Sequence, residues 1–145
     1  MCTSILKSFQ AYLFLIYLVW VDSPMATAAT HLTQHYFSQL DTQSQSTFEW
    51  FKSNPSAVDL RFIADVEESK ALNKIKGGAI IISASGMCDA GRIVHHLANN
   101  LPRPQNAIVI TGFQAYGSLG RRLVDKAQKV RFFGEEVVVR ASVHT

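Results

Sequence analysis

The sequence predicts an α/β fold, a mostly parallel sheet with helices on both faces, and three observations carry that expectation. Ala79 to Ala84 reads Ala-Ile-Ile-Ile-Ser-Ala, an unbroken apolar run between Gly77-Gly78 and Ser85-Gly86. Such a run fits a parallel strand buried on both sheet faces. Further strand-like runs follow, separated by segments of helical periodicity, and the order strand, helix, strand, helix, strand implies right-handed crossovers. The chain has 145 residues of which 48% are apolar, enough for one hydrophobic core of ordinary domain size.

Taken in order, the first element lies in the apolar run Ala11 to Val21, which admits two readings. Lys7 before it and Ala26-Thr27-Ala28 after it imitate a secretory signal and cleavage site. Against that, Tyr17, Val19, Trp20 and Val21 are β-branched or aromatic, and the run ends at Asp22-Ser23-Pro24, a capping side chain with proline at the first helical position. The run is too short for a membrane span, which needs about 20 apolar residues. Strand is the preferred reading, and no membrane association is expected. A helix should follow from Pro24 to Phe37, where Met25, Ala28, Leu32 and Tyr36 recur at helical spacing. Asp41 to Ser56 is polar and reads as a loop with a short helix, and Glu67 to Asn73 as one or two helical turns.

Beyond the strand Ala79–Ala84, Arg92 to Leu97 is helical in pattern and Pro102-Arg103-Pro104 ends it. A strand is expected at Ala107 to Thr111, a helix from Ser118 to Lys126, a third strand at Lys129 to Phe133, and a last strand-like segment from Val137 to Val143. No internal repeat stands out.

Charge divides the chain unevenly. Residues 1–76 hold six basic and seven acidic side chains, residues 77–145 eight and four, so the second half suits an anionic ligand. Cys2 and Cys88 lack the close spacing of a zinc site or a disulfide framework. They point to a reducing, cytoplasmic setting, with Cys88 as a free buried thiol.

Chemistry is expected at two strand-to-helix turns, where open α/β sheets bind ligands. The first contains Ser85, Gly86, Met87, Gly91 and Arg92: small residues let a backbone approach an anion, the helix start offers N–H groups, and the guanidinium adds a fork of donors. The second contains Gln114, Gly117, Arg121 and Arg122, with Phe113 and Tyr116 available to stack on a base. Both turns should lie along one sheet edge. His95 and His96 are adjacent and point about 100° apart on a helix, unsuited to one shared ion. His31 and His35 have chelating i, i+4 spacing but no accompanying Glu or third ligand. No Ser-His-Asp order, Walker loop or dinucleotide fingerprint is present.

Four blocks in order resemble the β-CASP family of RNA- and DNA-processing metallo-β-lactamases. They are Val21-Asp22-Ser23-Pro24-Met25-Ala26; Ile81 to Cys88 with Gly91-Arg92 and His95-His96-Leu97; Gly112-Phe113-Gln114-Ala115 with Gly117 and Leu119 to Arg122; and Phe133 to Val137 with Val139-Arg140-Ala141. The resemblance covers Tyr17 to Thr145, a β-CASP domain running into the start of the RNA-specificity segment, and leaves residues 1–16 unplaced. It also favours a strand before Asp22. It implies a two-domain endoribonuclease in which a metallo-β-lactamase domain binds two zinc ions and activates water, with single-stranded RNA in the cleft between domains. This sequence has no H-x-H-x-D-H motif, and it stops at Val143-His144-Thr145, just short of the block that in the family carries an active-site histidine. The expectation is therefore a truncated substrate domain that holds no zinc itself, lacks its metallo-β-lactamase partner domain, and does not cut RNA alone. A stand-alone binding module for single-stranded RNA and a non-functional remnant are the alternatives.

Overall fold

The computed structural model describes residues 18–145. The run from Ala11 to Tyr17 and the unplaced N-terminal segment lie outside them. The elements are β1 (Leu18–Asp22), α1 (Pro24–His35), a 3-10 turn (Phe37–Gln39), α2 (Thr42–Ser53), β2 (Asp59–Phe62), α3 (Val66–Leu72), β3 (Ala79–Ser83), α4 (Arg92–Asn100), β4 (Ala107–Val109), α5 (Leu119–Val124), β5 (Lys129–Phe132), β6 (Glu135–Val138) and β7 (Ser142–His144). The α/β class holds. Strand β1 ends just where Asp22-Ser23-Pro24 starts α1, with the Ser23 hydroxyl accepting from Ala26 N–H as an N-cap should.

The single sheet expected from the strand order is instead divided among three ladders: parallel β2-β1-β3, parallel β4-β7, and the antiparallel hairpin β5-β6. The hairpin has a local cause. Phe133 and Gly134 have φ of 51° and 87°, the pair of positive values that a two-residue turn needs to fold one strand back on the next. The strand-like stretch Val137–Val143 breaks at Val139 to Ala141, because the Arg140 and Ala141 N–H groups both turn to Leu101 C=O instead of a strand.

Two other expectations change. Asp41 to Ser56 is mostly the twelve-residue helix α2, nucleated by Asp41, whose carboxylate accepts from Ser44 N–H at 2.9 Å. And β3 is not buried on both faces: Ile80 and Ile82 are 46% and 50% exposed. In register they flank Val19 and Val21 of β1, with Leu60 and Phe62 of β2 on the other side, so the six side chains share one sheet face. β2 itself went unforeseen.

The connected apolar cluster lies in the second half, while Val19, Val21, Ile63 and Leu72 are buried in the first. Cys88, Leu97, Leu101, Ile110, Leu119, Leu123, Val130, Phe132 and Ala141 form one cluster, with α4 and α5 packed against the hairpin and the β4-β7 pair. Cys88 is a free buried thiol there, and burial, helped by Asp89, pushes its pKa up.

Candidate functional site

The two strand-to-helix turns meet, although the strands that feed them belong to different ladders. Gln114 is the latch. Its amide donates to Gly86 C=O at 2.8 Å and also to the carbonyls of Gly112 and Phe113, and the side chain is buried. Met87 makes the second tie: its carbonyl accepts from Gly120 N–H at 3.0 Å and its sulfur from Ala115 N–H at 3.2 Å. Asp89 makes the third, accepting from Leu119 N–H at 2.8 Å.

These ties engage several of the singled-out residues. The first N–H groups of α5 are already occupied, by Asp89, by Met87 C=O and by the N-cap hydroxyl of Ser118, so this helix start does not offer a free anion cradle. Gln114 and Met87 join the loops and do not project from them. Ser85 closes its own turn, its carbonyl accepting from Cys88 N–H. Gly91 caps α4 with φ of 78°, and a Cβ there would lie 2.9 Å from Ala84 O. Gly86 and Gly117 are exposed.

The arginines divide. Arg92 reaches back to Asp22, with Nη1 2.5 Å from Oδ1, so its fork is engaged by protein. Arg121 pairs with Asp125 on the helix surface at 2.9 Å. Arg122 is exposed and has no ion pair among the described residues. The Gly112–Gly117 loop carries two exposed aromatics: Phe113 is 81% exposed and Tyr116 is 100% exposed. The latch holds their loop from below while both rings face solvent.

Asp22 is the buried centre that sequence reasoning missed. Its carboxylate is fully buried and accepts from Ser69 Oγ at 2.5 Å and Arg92 Nη1, with His96 Nε2 at 2.6 Å; Asn73 Oδ1 takes the other His96 nitrogen at 2.9 Å. Burial alone would push the carboxyl up, but the hydrogen bonds from Ser69, His96 and Arg92 outweigh it and hold the pKa below the ordinary 3.8. This network ties β1 to α3 and α4. The only sequence signal was Asp22 itself at a strand end. His95, by contrast, is exposed and stacks on Phe133 with centroids 4.8 Å apart, so the two histidines diverge as their helical angle requires. His31 and His35 are exposed on α1.

Among the described residues no group of three or more His, Cys, Asp or Glu converges. The carboxylate–imidazole pair of Asp22 with His96 also engages the Ser69 hydroxyl and the guanidinium of Arg92. Nor is any helix among the described residues long and apolar enough to cross a membrane.

Known proteins are similar to this chain in sequence. A model of the Beta-Casp domain matches residues 4–123. The chain is 38% identical over 127 residues to Ribonuclease TTHA0252 of Thermus thermophilus, covering 88% of this chain and 30% of that protein. It is 36% identical over 81 residues to an RNase J-like protein of Methanocaldococcus jannaschii, covering 56% and 18%, and 28% identical over 145 residues to transcription termination factor FttA of Methanococcus maripaludis, covering 94% and 21%. The chain thus spans less than a third of the length of these relatives.

Proposed function

The chain belongs to the Beta-Casp family, and from that membership we propose that it is the RNA-contacting portion of an RNA-processing protein of ribonuclease type. Its task in this reading is to hold single-stranded RNA. Cleavage in this reading belongs to a metallo-β-lactamase domain, which would supply the zinc and the activated water. The chain alone binds and does not cut. A cytoplasmic setting suits the free thiol of Cys88 in the core.

The observation that carries the reading is the loop Gly112 to Gly117. Gln114 fixes its base, so Phe113 and Tyr116 stand clear of the protein without the ordering cost a mobile loop would incur on binding. Every base has a π-face, so such rings grip single strands with little sequence preference, and Arg121 and Arg122 on the next helix attract the backbone. The test is fluorescence anisotropy of a labelled oligouridylate against salt. Binding should weaken as salt rises, and Tyr116→Ala or Phe113→Ala should each cost about 1–3 kcal/mol of affinity while leaving the fold intact. Equal affinity for the wild type and the doubly substituted chain would refute the reading.

A further inference from the structure

A second cluster of cations lies beyond the loops. Arg122 of α5 and Lys129, Val130, Arg131 and Glu136 of the β5-β6 hairpin line a pocket of about 300 Å³. Alternation along β5 explains it. Val130 and Phe132 turn into the core and are buried, so Lys129 and Arg131 share the outward face. Glu136 stands opposite Arg131 in the strand register, yet its carboxylate goes to Lys129, Oε1 to Nζ 2.6 Å. Arg131 is left, like Arg122, with no ion pair among the described residues. Three cations against one carboxylate leave two positive charges on a concave surface, and both uncommitted groups are guanidinium forks, whose geometry matches phosphate oxygens in pairs.

We propose that this pocket binds a phosphate group, held by Arg122 and Arg131, and that the phosphate is a backbone group of the same RNA that the loop at Phe113 and Tyr116 stacks. The second clause rests on the reading given above. Continuity supports it: Arg122, which lines the pocket, sits on the short helix whose N-cap, Ser118, ends that loop, so loop and pocket are joined through α5.

Length separates the two sites. For the full chain, a short oligouridylate that fills only the loop should bind Arg131→Gln and wild type alike, which also shows that the variant is folded. A several-fold longer one should bind the variant more weakly, with a slope of log affinity against log salt shallower by about 0.7 for each phosphate that is no longer neutralised. A parallel titration with inorganic phosphate, followed by the Arg131 Nε–H resonance, reports the free anion. A length-dependent weakening supports the RNA backbone as the source. An unchanged RNA slope with a saturating phosphate response keeps the pocket and overturns the RNA assignment. An unchanged slope with no phosphate response overturns the proposal while leaving the loop reading intact. Should the chain bind no RNA at all, the loop reading fails, and the phosphate titration alone decides the pocket.

Discussion

The two halves of the molecule are held by different forces. From Arg92 onward, helices and strands close round an apolar cluster in which Leu97, Leu101 and Leu123 are almost wholly out of water. Before it, α1 and α2 bury no residue at all, and the sheet β2-β1-β3 leaves Leu60, Phe62, Ile80 and Ile82 half exposed on one face. Besides the buried Val19, Val21, Ile63 and Leu72, a polar network fastens that sheet to the rest. Asp22, Ser69, Arg92 and His96 join β1, α3 and α4 through one buried carboxylate. Apolar burial sums over area and tolerates adjustment, whereas a buried charge with three donors depends on every partner being in place. The half with the core can carry the exposed aromatic loop because it is rigid; the other half should be the more easily loosened.

Removing the carboxylate is the sharpest way to break that contrast. Asp22→Ala leaves Arg92 and His96 facing each other without their shared partner, and truncating one member of a buried ion pair costs about 3–5 kcal/mol. Urea denaturation should report that loss, and hydrogen exchange should show β1, β2 and β3 opening before β5 and β6. A uniform increase in exchange across both halves would mean that the seam is not polar in the sense argued. Acid gives the same answer without mutation. The Asp22 pKa is lower in the folded chain than the ordinary 3.8; its contribution is complete above that value and is lost as pH falls through the lower folded value. Asp22→Asn should flatten this part of the acid limb.

Sequence showed local signals better than long-range pairings. The glycine-bounded Ile80-Ile81-Ile82 and the Ser23-Pro24 helix start are local signals, and both elements formed where they were expected, although β3 is half exposed on one face. β2 was missed because Asp59-Leu60-Arg61-Phe62 alternates over only four residues, too few to distinguish from a loop. The length of α2 was missed because Ser, Thr, Phe and Trp, which make up much of it, are indifferent helix formers, and the cap at Asp41 was decisive. At the site, the two turns and their aromatics were legible from strand ends and glycine spacing. The Asp22 network was not, since its partners are 47, 70 and 74 positions away. Nor could spacing reveal that Arg92 is spent on Asp22, or that Gln114 faces inward.

The apolar half offers the next largest effect. Leu123 is completely buried, so Leu123→Ala should cost about 2–5 kcal/mol through reduced burial and the cavity left behind. Leu32 is 60% exposed on α1, and Leu32→Ala should stay within about 0.5 kcal/mol, as surface substitutions do. Comparable losses for both, measured by thermal melting, would mean that α1 is packed against something and that the halves are more alike than their burial indicates.

The smallest effect tests the join itself, at two glycines five residues apart in one turn. Gly91 has φ of 78°, and an added Cβ would meet Ala84 O at 2.9 Å, the same carbonyl that accepts from Ile93 N–H at the start of α4. Alanine must therefore strain its own backbone and push that acceptor away from α4, a cost of about 1–3 kcal/mol. Gly86 has open space where its Cβ would stand, and Gly86→Ala should change stability by less than about 0.5 kcal/mol. The loss at Gly91 should also move Arg92, the next residue, away from Asp22, so its effect and that of Asp22→Ala should fall short of additive in a double-mutant cycle. Full additivity would place the strain of Gly91 in the turn alone and detach it from the polar seam.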